Sequence, residues 1–199
     1  MRRPKRPARP SLVVLAGPNG AGESTLAPRL LKGALGVSEF VDADVIARGI
    51  SAFDPERAAF AAGRVMLARV RALAEQRVSF GFETTLASRS FAPWIARLEK
   101  AGYDVHLLFL ALPAAEVAVR RVAERVRMGG HSVPETTVRR RYRAGLQNFF
   151  RLYRVLATSW RVYENSGAVA PRLVAAGRAD VVTRITDRSA WERLQAKAR

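Results

Sequence analysis

The sequence predicts an α/β sandwich of three layers, in which a parallel sheet of about five strands is flanked by helices on both faces. Three observations lead there. A glycine-rich turn joins a short apolar run to a leucine-bearing helical run, short apolar and amphipathic segments alternate behind it, and Tyr103 to Leu112 is nearly continuously apolar, as a central parallel strand buried on both faces must be. With 199 residues and 49% hydrophobic content, the chain can bury one substantial core, so 11–199 is read as a single domain.

The elements follow in order. Ser11 to Ala16 is the first strand, and the segment TLAPRLLKGAL supplies the first helix, with Pro28 near its start. Ser38 to Asp44 reads as a second strand ending in two acids. Asp54 as N-cap and Pro55 at the first helical position open a helix to about Gln76, with Phe60, Gly63, Leu67, Val70 and Ala74 on its buried face. Arg77 to Glu83 alternates into a third strand, Ser90 caps a helix stopped by Ala101 and Gly102, and Tyr103 to Leu112 is the fourth strand. A basic helical hairpin comes next. Its first helix carries a Val119, Val122 and Val126 stripe and ends at Gly129 and Gly130. Ser132 and Glu135 have capping-box spacing for the second, which buries Val138, Tyr142, Phe149, Tyr153 and Leu156. Trp160 to Asn165 is the fifth strand, Pro171 to Gly177 an edge strand, and Ser189 to Ala198 a closing helix.

The turn is the most informative segment. Residues 17–25 read GPNGAGEST and match the phosphate-cradling pattern GxxxxGK[ST] at every fixed position except one, where Glu23 replaces lysine. In such a loop Gly17 and Gly22 free the backbone N–H groups of Asn19, Gly20, Ala21 and their neighbours to face phosphate, and a helix N-terminus adds partial positive charge. Ser24 would offer a hydroxyl to Mg2+, with Thr25 beside it. A carboxylate at position 23 puts repulsion where attraction belongs. Strand, glycine loop and helix therefore imply a P-loop nucleotide kinase architecture, with phosphoryl transfer impaired.

Composition narrows the surroundings. The formal charge is +17, and the opening MRRPKRPARP, residues 1–10, is expected to be a basic disordered arm. Only 4 of the 34 basic residues are lysine and alanine is abundant, which a GC-rich coding bias produces as readily as nucleic-acid binding does, so nucleic acid is not the expected partner. The absence of cysteine excludes disulfides and thiolate metal sites, and no apolar run is long enough for a membrane span, so a cytoplasmic protein without membrane attachment is expected.

In an open parallel sheet ligands bind at the carboxyl ends of the strands. This puts Asp42 with Asp44, and Glu83 with Thr84 and Thr85, beside the phosphates. Asp44 is the candidate to take or orient the proton of an acceptor hydroxyl, with Asp42 either acting directly or supporting it. Glu83 and Thr84 either hold substrate hydroxyls or a magnesium-bound water, or cap a loop. The hairpin from Glu116 to Arg143 carries eight arginines against three acids, as a lid over triphosphate would require. His131 is read as a hydrogen-bonding loop residue, since only His106 accompanies it.

Taken together in this order, GPNGAGxST, FVDADVIARG, FxFETTLxS, RVxxRVxxGGHxVP and YxNSG resemble the zeta toxin family of P-loop kinases over roughly Leu12 to Gly167. The resemblance implies that Asp44 is the catalytic base, that Glu83 and Thr84 form the acceptor-binding strand tip, that Arg121, Arg125 and Arg141 belong to the lid at about 116–143, and that Asn165 lies near the nucleotide base. It implies a small-molecule acceptor, UDP-N-acetylglucosamine in better-known members, and an antitoxin partner. The chain is shorter than those toxins and has no obvious counterpart to their extended sugar-binding region. Glu23 departs from the family and reads either as inactivation of a kinase or as a pseudokinase that kept its fold for binding.

Overall fold

The computed structural model describes residues 9–23, 27, 37–167 and 170–199. The expected first helix, with Ser24, Thr25 and Pro28, and most of the expected arm lie outside these residues. Arg9 and Pro10 do not behave as arm: the Pro10 carbonyl accepts from the Asp104 amide, and the Arg9 guanidinium pairs with the Asp104 carboxylate at 3.3 Å.

Seven strands form one sheet. They are β1 (Ser11–Ala16), β2 (Glu39–Val41), β3 (Phe80–Thr84), β4 (Asp104–Ala111), β5 (Ser159–Glu164), β6 (Arg172–Arg178) and β7 (Val181–Ile185), in the spatial order β2-β3-β1-β4-β5-β6-β7. The pairs from β2 through β5 are parallel, whereas β5–β6 and β6–β7 are antiparallel, so the expected parallel five-strand sheet is in fact mixed and larger. The reason is local. Two residues, Ala179 and Asp180, join β6 to β7, which suffices for a hairpin and not for a crossover. β6 is therefore an inner strand, and the edge is β7, whose VVTRI segment is mostly exposed.

Six helices are described: α1 (Ala43–Ile50), α2 (Pro55–Glu75), α3 (Ala92–Lys100), α4 (Ala115–Arg127), α5 (Glu135–Asn148) and α6 (Arg188–Lys197). They build two cores, and β1 shows why: Leu12, Val14 and Ala16 face one, Val13 and Leu15 the other, as period-two alternation in a doubly covered strand dictates. The first core takes α2, α3 and α6, and includes Trp160 stacked on Trp191 with centroids 5.6 Å apart. The second takes Ala118 and Val122 of α4 and Val138 and Tyr142 of α5.

Several elements differ from expectation. The second strand stops at Val41 because Asp42 ends it: the Asp42 carboxylate accepts from the Asp44 amide at 2.7 Å and the Val45 amide at 3.3 Å and caps α1, a helix the sequence reading does not contain. The buried face of α2 is Ala58, Ala62, Met66, Val70, Leu73 and Ala74, while Phe60 is 81% exposed. The small residues Ala58 and Ala62 face Ala47 of α1, and that close helix contact rotates the larger Phe60 and Leu67 outward. Ser90 bonds Ser88 instead of capping α3, and α5 begins after Pro134 with no side-chain cap, so the expected Ser132–Glu135 capping box is not formed. Val126 is exposed, and Ala118 takes its place beside Val122 on the buried face of α4.

Candidate active site

The glycine loop leaves β1 in the middle of the sheet, between the carboxyl ends of β3 and β4. The register pairs Leu15 with Glu83 and Ala16 with Thr84, and the Gly17 amide donates to the Thr84 carbonyl at 3.3 Å, so the loop and the β3 tip are bound together. Gly20 and Gly22 have φ of 81° and 91°, the left-handed region that curls the loop. Three side chains brace it from outside. Arg121 donates to the Gly20 carbonyl at 3.3 Å, Asn165 to the Ala21 carbonyl at 2.7 Å, and Arg141 to the Asn19 side-chain oxygen at 3.4 Å.

Glu23 is 6% exposed, and its carboxyl folds back into the loop: a Cβ placed on Gly17 would fall 2.6 Å from Glu23 Oε1. Burial, with the Glu83 and Asp44 carboxylates adding to it, pushes this carboxyl well above the usual carboxylate range, and Arg125 offsets that only in part. The loop has the left-handed glycines of a phosphate cradle, but the Glu23 side chain folds into it.

Beside the loop opens a cleft of about 560 Å³. Asp42, Asp44, Glu83 and Thr84 line one side of it, His131, Arg140 and Arg141 of the helical hairpin another, and Ala47 and Met66 of α1 and α2 a third. Asp44 is brought here by the first turn of α1, and 45% of its side chain is exposed. Burial and the neighbouring Arg140 lower the Arg141 guanidinium from its ordinary value, while Asp44 opposes them. The Thr84 hydroxyl accepts from the Leu86 amide at 3.2 Å and so shapes the turn after β3. That turn is held from beneath by α5. Asn148 donates to the Leu86 carbonyl at 2.7 Å, and Gly145 lies so close that a Cβ there would be 2.3 Å from the Thr85 carbonyl oxygen.

Of the sequence-predicted site residues, Asp42, Asp44, Glu83, Thr84, Asn19 and Arg141 meet at this cleft; Gly17, Gly20, Ala21, Gly22 and Glu23 form the adjoining loop; and Arg121 and Asn165 brace it. Arg125 turns to His131 instead, as described below, and Ser24 and Thr25 lie outside the described residues. Thr85, expected with Glu83 and Thr84 at the strand tip, is there as well, and Arg140 and His131 reach the cleft without having been singled out as site residues, the double glycine before His131 being the available signal. Among the described residues no group of three or more His, Cys, Asp or Glu side chains is arranged to hold a metal, and no helix is long and apolar enough to cross a membrane.

Comparison with known proteins bears on this arrangement. The zeta toxin family model matches residues 1–170. An uncharacterized protein of Haemophilus influenzae is 30% identical over 130 residues, covering 65% of this chain and 91% of its own. Among solved structures, a chain of the AvrRxo1-ORF1:AvrRxo1-ORF2 complex with sulphate ions superposes with a TM-score of 0.74 at 15% identity, over 96% of this chain and 65% of that one. The same complex with ATP gives 0.72 at 16% identity, with the same coverage. A chain of the PezAT chromosomal toxin–antitoxin system of Streptococcus pneumoniae gives 0.62 at 16% identity, over 97% of this chain and 86% of that one. At such identities the likeness shows a P-loop kinase-like fold, and this chain spans only 65% of the length of the AvrRxo1 chains.

Proposed function

The chain belongs to the zeta toxin family, and from that membership we propose that it is a cytoplasmic kinase that transfers the γ-phosphoryl group of ATP to a hydroxyl of a small molecule, weakened in this form by Glu23. The observation that carries the reading is the cleft in which Asn19 of the glycine loop, the Asp44 carboxylate, the Glu83–Thr84 strand tip and Arg140 and Arg141 of the hairpin meet. Phosphoryl transfer asks little covalent work of a protein: it needs an in-line acceptor, charge neutralisation and magnesium. In this reading the backbone of residues 17–23 cradles the phosphates, Arg121 and Arg141 close over them, Mg2+ accompanies the nucleotide, and Asp44 orients the acceptor hydroxyl and takes its proton. Glu83 and Thr84 hold the acceptor, which the resemblance makes a UDP-sugar or another nucleotide-linked metabolite. Restraint by an antitoxin is proposed in line with the toxin–antitoxin system to which one structural relative belongs.

The buried Glu23 favours a second reading, a nucleotide-binding regulator without turnover on the same scaffold. A nucleic-acid version of it is less well supported by the hairpin, because Arg139 is committed to Glu116 and Glu135 and Arg140 faces the cleft. Restoring the lysine separates the readings. A lysine ammonium about 4 Å from a phosphate charge is worth about 4 kcal/mol at an effective dielectric of about 20. Glu23→Lys should therefore tighten ATP binding in magnesium at least about tenfold by titration calorimetry, and should gain turnover on a pool of bacterial metabolites. Equal affinities and no labelled product would overturn the kinase reading and leave the regulator.

A further inference from the structure

The lid carries a contact that the kinase reading does not use. His131 stands in the loop between α4 and α5, with 20% of its side chain exposed, and its Nε2 is met from two sides. Arg125 approaches at 3.2 Å through a terminal guanidinium nitrogen, which also donates to the His131 carbonyl at 3.2 Å. Asp44 Oδ2 lies 3.5 Å away on the other side.

The two contacts demand opposite states of one atom. A guanidinium only donates, so against Arg125 the ring nitrogen must present its lone pair, and the ring is then the neutral Nδ1–H tautomer. A carboxylate only accepts, so against Asp44 the same nitrogen must carry a proton. The distances say which contact is made: 3.2 Å is within hydrogen-bonding range, and 3.5 Å is longer than an N–H···O bond should be. Arg125 is thus hydrogen-bonded to the histidine, and its Nε is buried with no hydrogen-bond partner among the described residues. A buried donor left unmade is costly, and an anion that engaged the guanidinium would satisfy it.

We propose that His131 is a positioning residue that couples the nucleotide side of the cleft to the acceptor carboxylate: in the arrangement described it holds Arg125, and it donates to Asp44 once a phosphate draws Arg125 away. On release the ring exchanges its Nδ1 proton for one at Nε2 through solvent, without change of charge, and Nε2–H donates to Asp44 Oδ2. That fixes one carboxylate oxygen and leaves Oδ1 for the acceptor hydroxyl. The base is thereby oriented only when the triphosphate is in place, which suppresses idle turnover. The coupling rests on the kinase reading, but the ring state can be tested without it.

His106 and His131 are the only histidines, so long-range proton–nitrogen correlation spectra resolve both ring tautomers, with a His106→Gln protein fixing the assignment. In the ligand-free chain His131 should be Nδ1–H. Arg125→Met should convert it to Nε2–H, and adding Asp44→Ala to that variant should return a mixture. A His131 that is Nε2–H in the unaltered chain, or that ignores Arg125→Met, would overturn the proposal. Kinetics test the coupling. In the Glu23→Lys protein, His131→Asn should lower kcat about tenfold with the KM for ATP changed less than about twofold, and His131→Gln, whose amide nitrogen falls near Nε2, should recover most of the loss. Equal loss in both variants, or a loss confined to KM, would reduce His131 to a packing role. Tautomer shifts as expected with no turnover in any form would sustain the latch and overturn the kinase reading.

Discussion

Glu23 decides more than any other residue how this site behaves. Its carboxyl binds a proton more tightly in the folded chain than in the unfolded one, because burial and two neighbouring carboxylates disfavour the charge. Folding therefore takes up a proton. The stability linked to this group is fully present below its ordinary value of 4.5 and is lost as pH rises through the higher folded value. Glu23→Gln keeps the shape and cannot ionise, so its melting temperature should exceed that of the unaltered chain by at least about 2 °C at pH 8 and match it within about 1 °C at pH 4. The same offset at both pH values, by scanning calorimetry, would show the carboxyl to be solvated. Asp44 belongs to the same scale. In the Glu23→Lys protein, Asp44→Asn should lower kcat about 100-fold or more and leave ATP affinity within about threefold. Lost affinity with turnover spared would place Asp44 with the magnesium instead.

At the scale of elements, the Asp44 and Glu83–Thr84 side of the cleft is made by two contacts between helices and strand ends. Asp42 turns the chain from β2 into α1, which is how Asp44, two residues on, arrives in the cleft from a helix and not from a strand. On the other flank α5 reaches the turn after β3 through Gly145, where backbone meets backbone and no side chain can yield. Gly145→Ala would improve helix propensity by about 1 kcal/mol in an open position. Here it should destabilise the chain by about 1 to 3 kcal/mol, as overpacking does, and should displace Thr85. Urea unfolding measures the first effect, and a raised acceptor KM in the Glu23→Lys protein the second. A stabilised Gly145→Ala protein would mean that the turn gives way freely. The antiparallel end of the sheet is tied down separately: buried Glu164 at the end of β5 takes Arg172 and Arg193, each at 3.4 Å, and Arg172 also pairs with Asp187 at the start of α6.

Across the whole molecule the formal charge of +17 is spread over surface arginines and the opening segment. Arg9 and Pro10 are docked against β4, so removal of residues 1–8, and not of the first ten, is the change that spares the fold. That deletion should leave the turnover of the Glu23→Lys protein within about twofold and remove most adhesion to oligonucleotides at low salt, since phosphate-backbone contacts weaken steeply as salt rises. Oligonucleotide binding that survives about 0.2 M salt in the shortened protein would favour a nucleic-acid role.

The sequence by itself determined the parallel heart of the sheet, the glycine loop and the Asp54–Pro55 helix start, because each rests on a local pattern. The apolar run of β4, the loop glycines and the Asp54–Pro55 helix start are legible without knowing what lies opposite. What needed the tertiary structure was everything set by a partner distant in the chain. Asp42 became a cap and not a strand residue, α2 turned Phe60 outward because Ala47 of α1 lies against its alanines, and β6 lost its edge to a short, mostly exposed strand. The same holds for the site. Glycine spacing announces a phosphate cradle, but only packing buries Glu23 inside it and sets His131 between Arg125 and Asp44, since those distances join three separate elements that no local period connects.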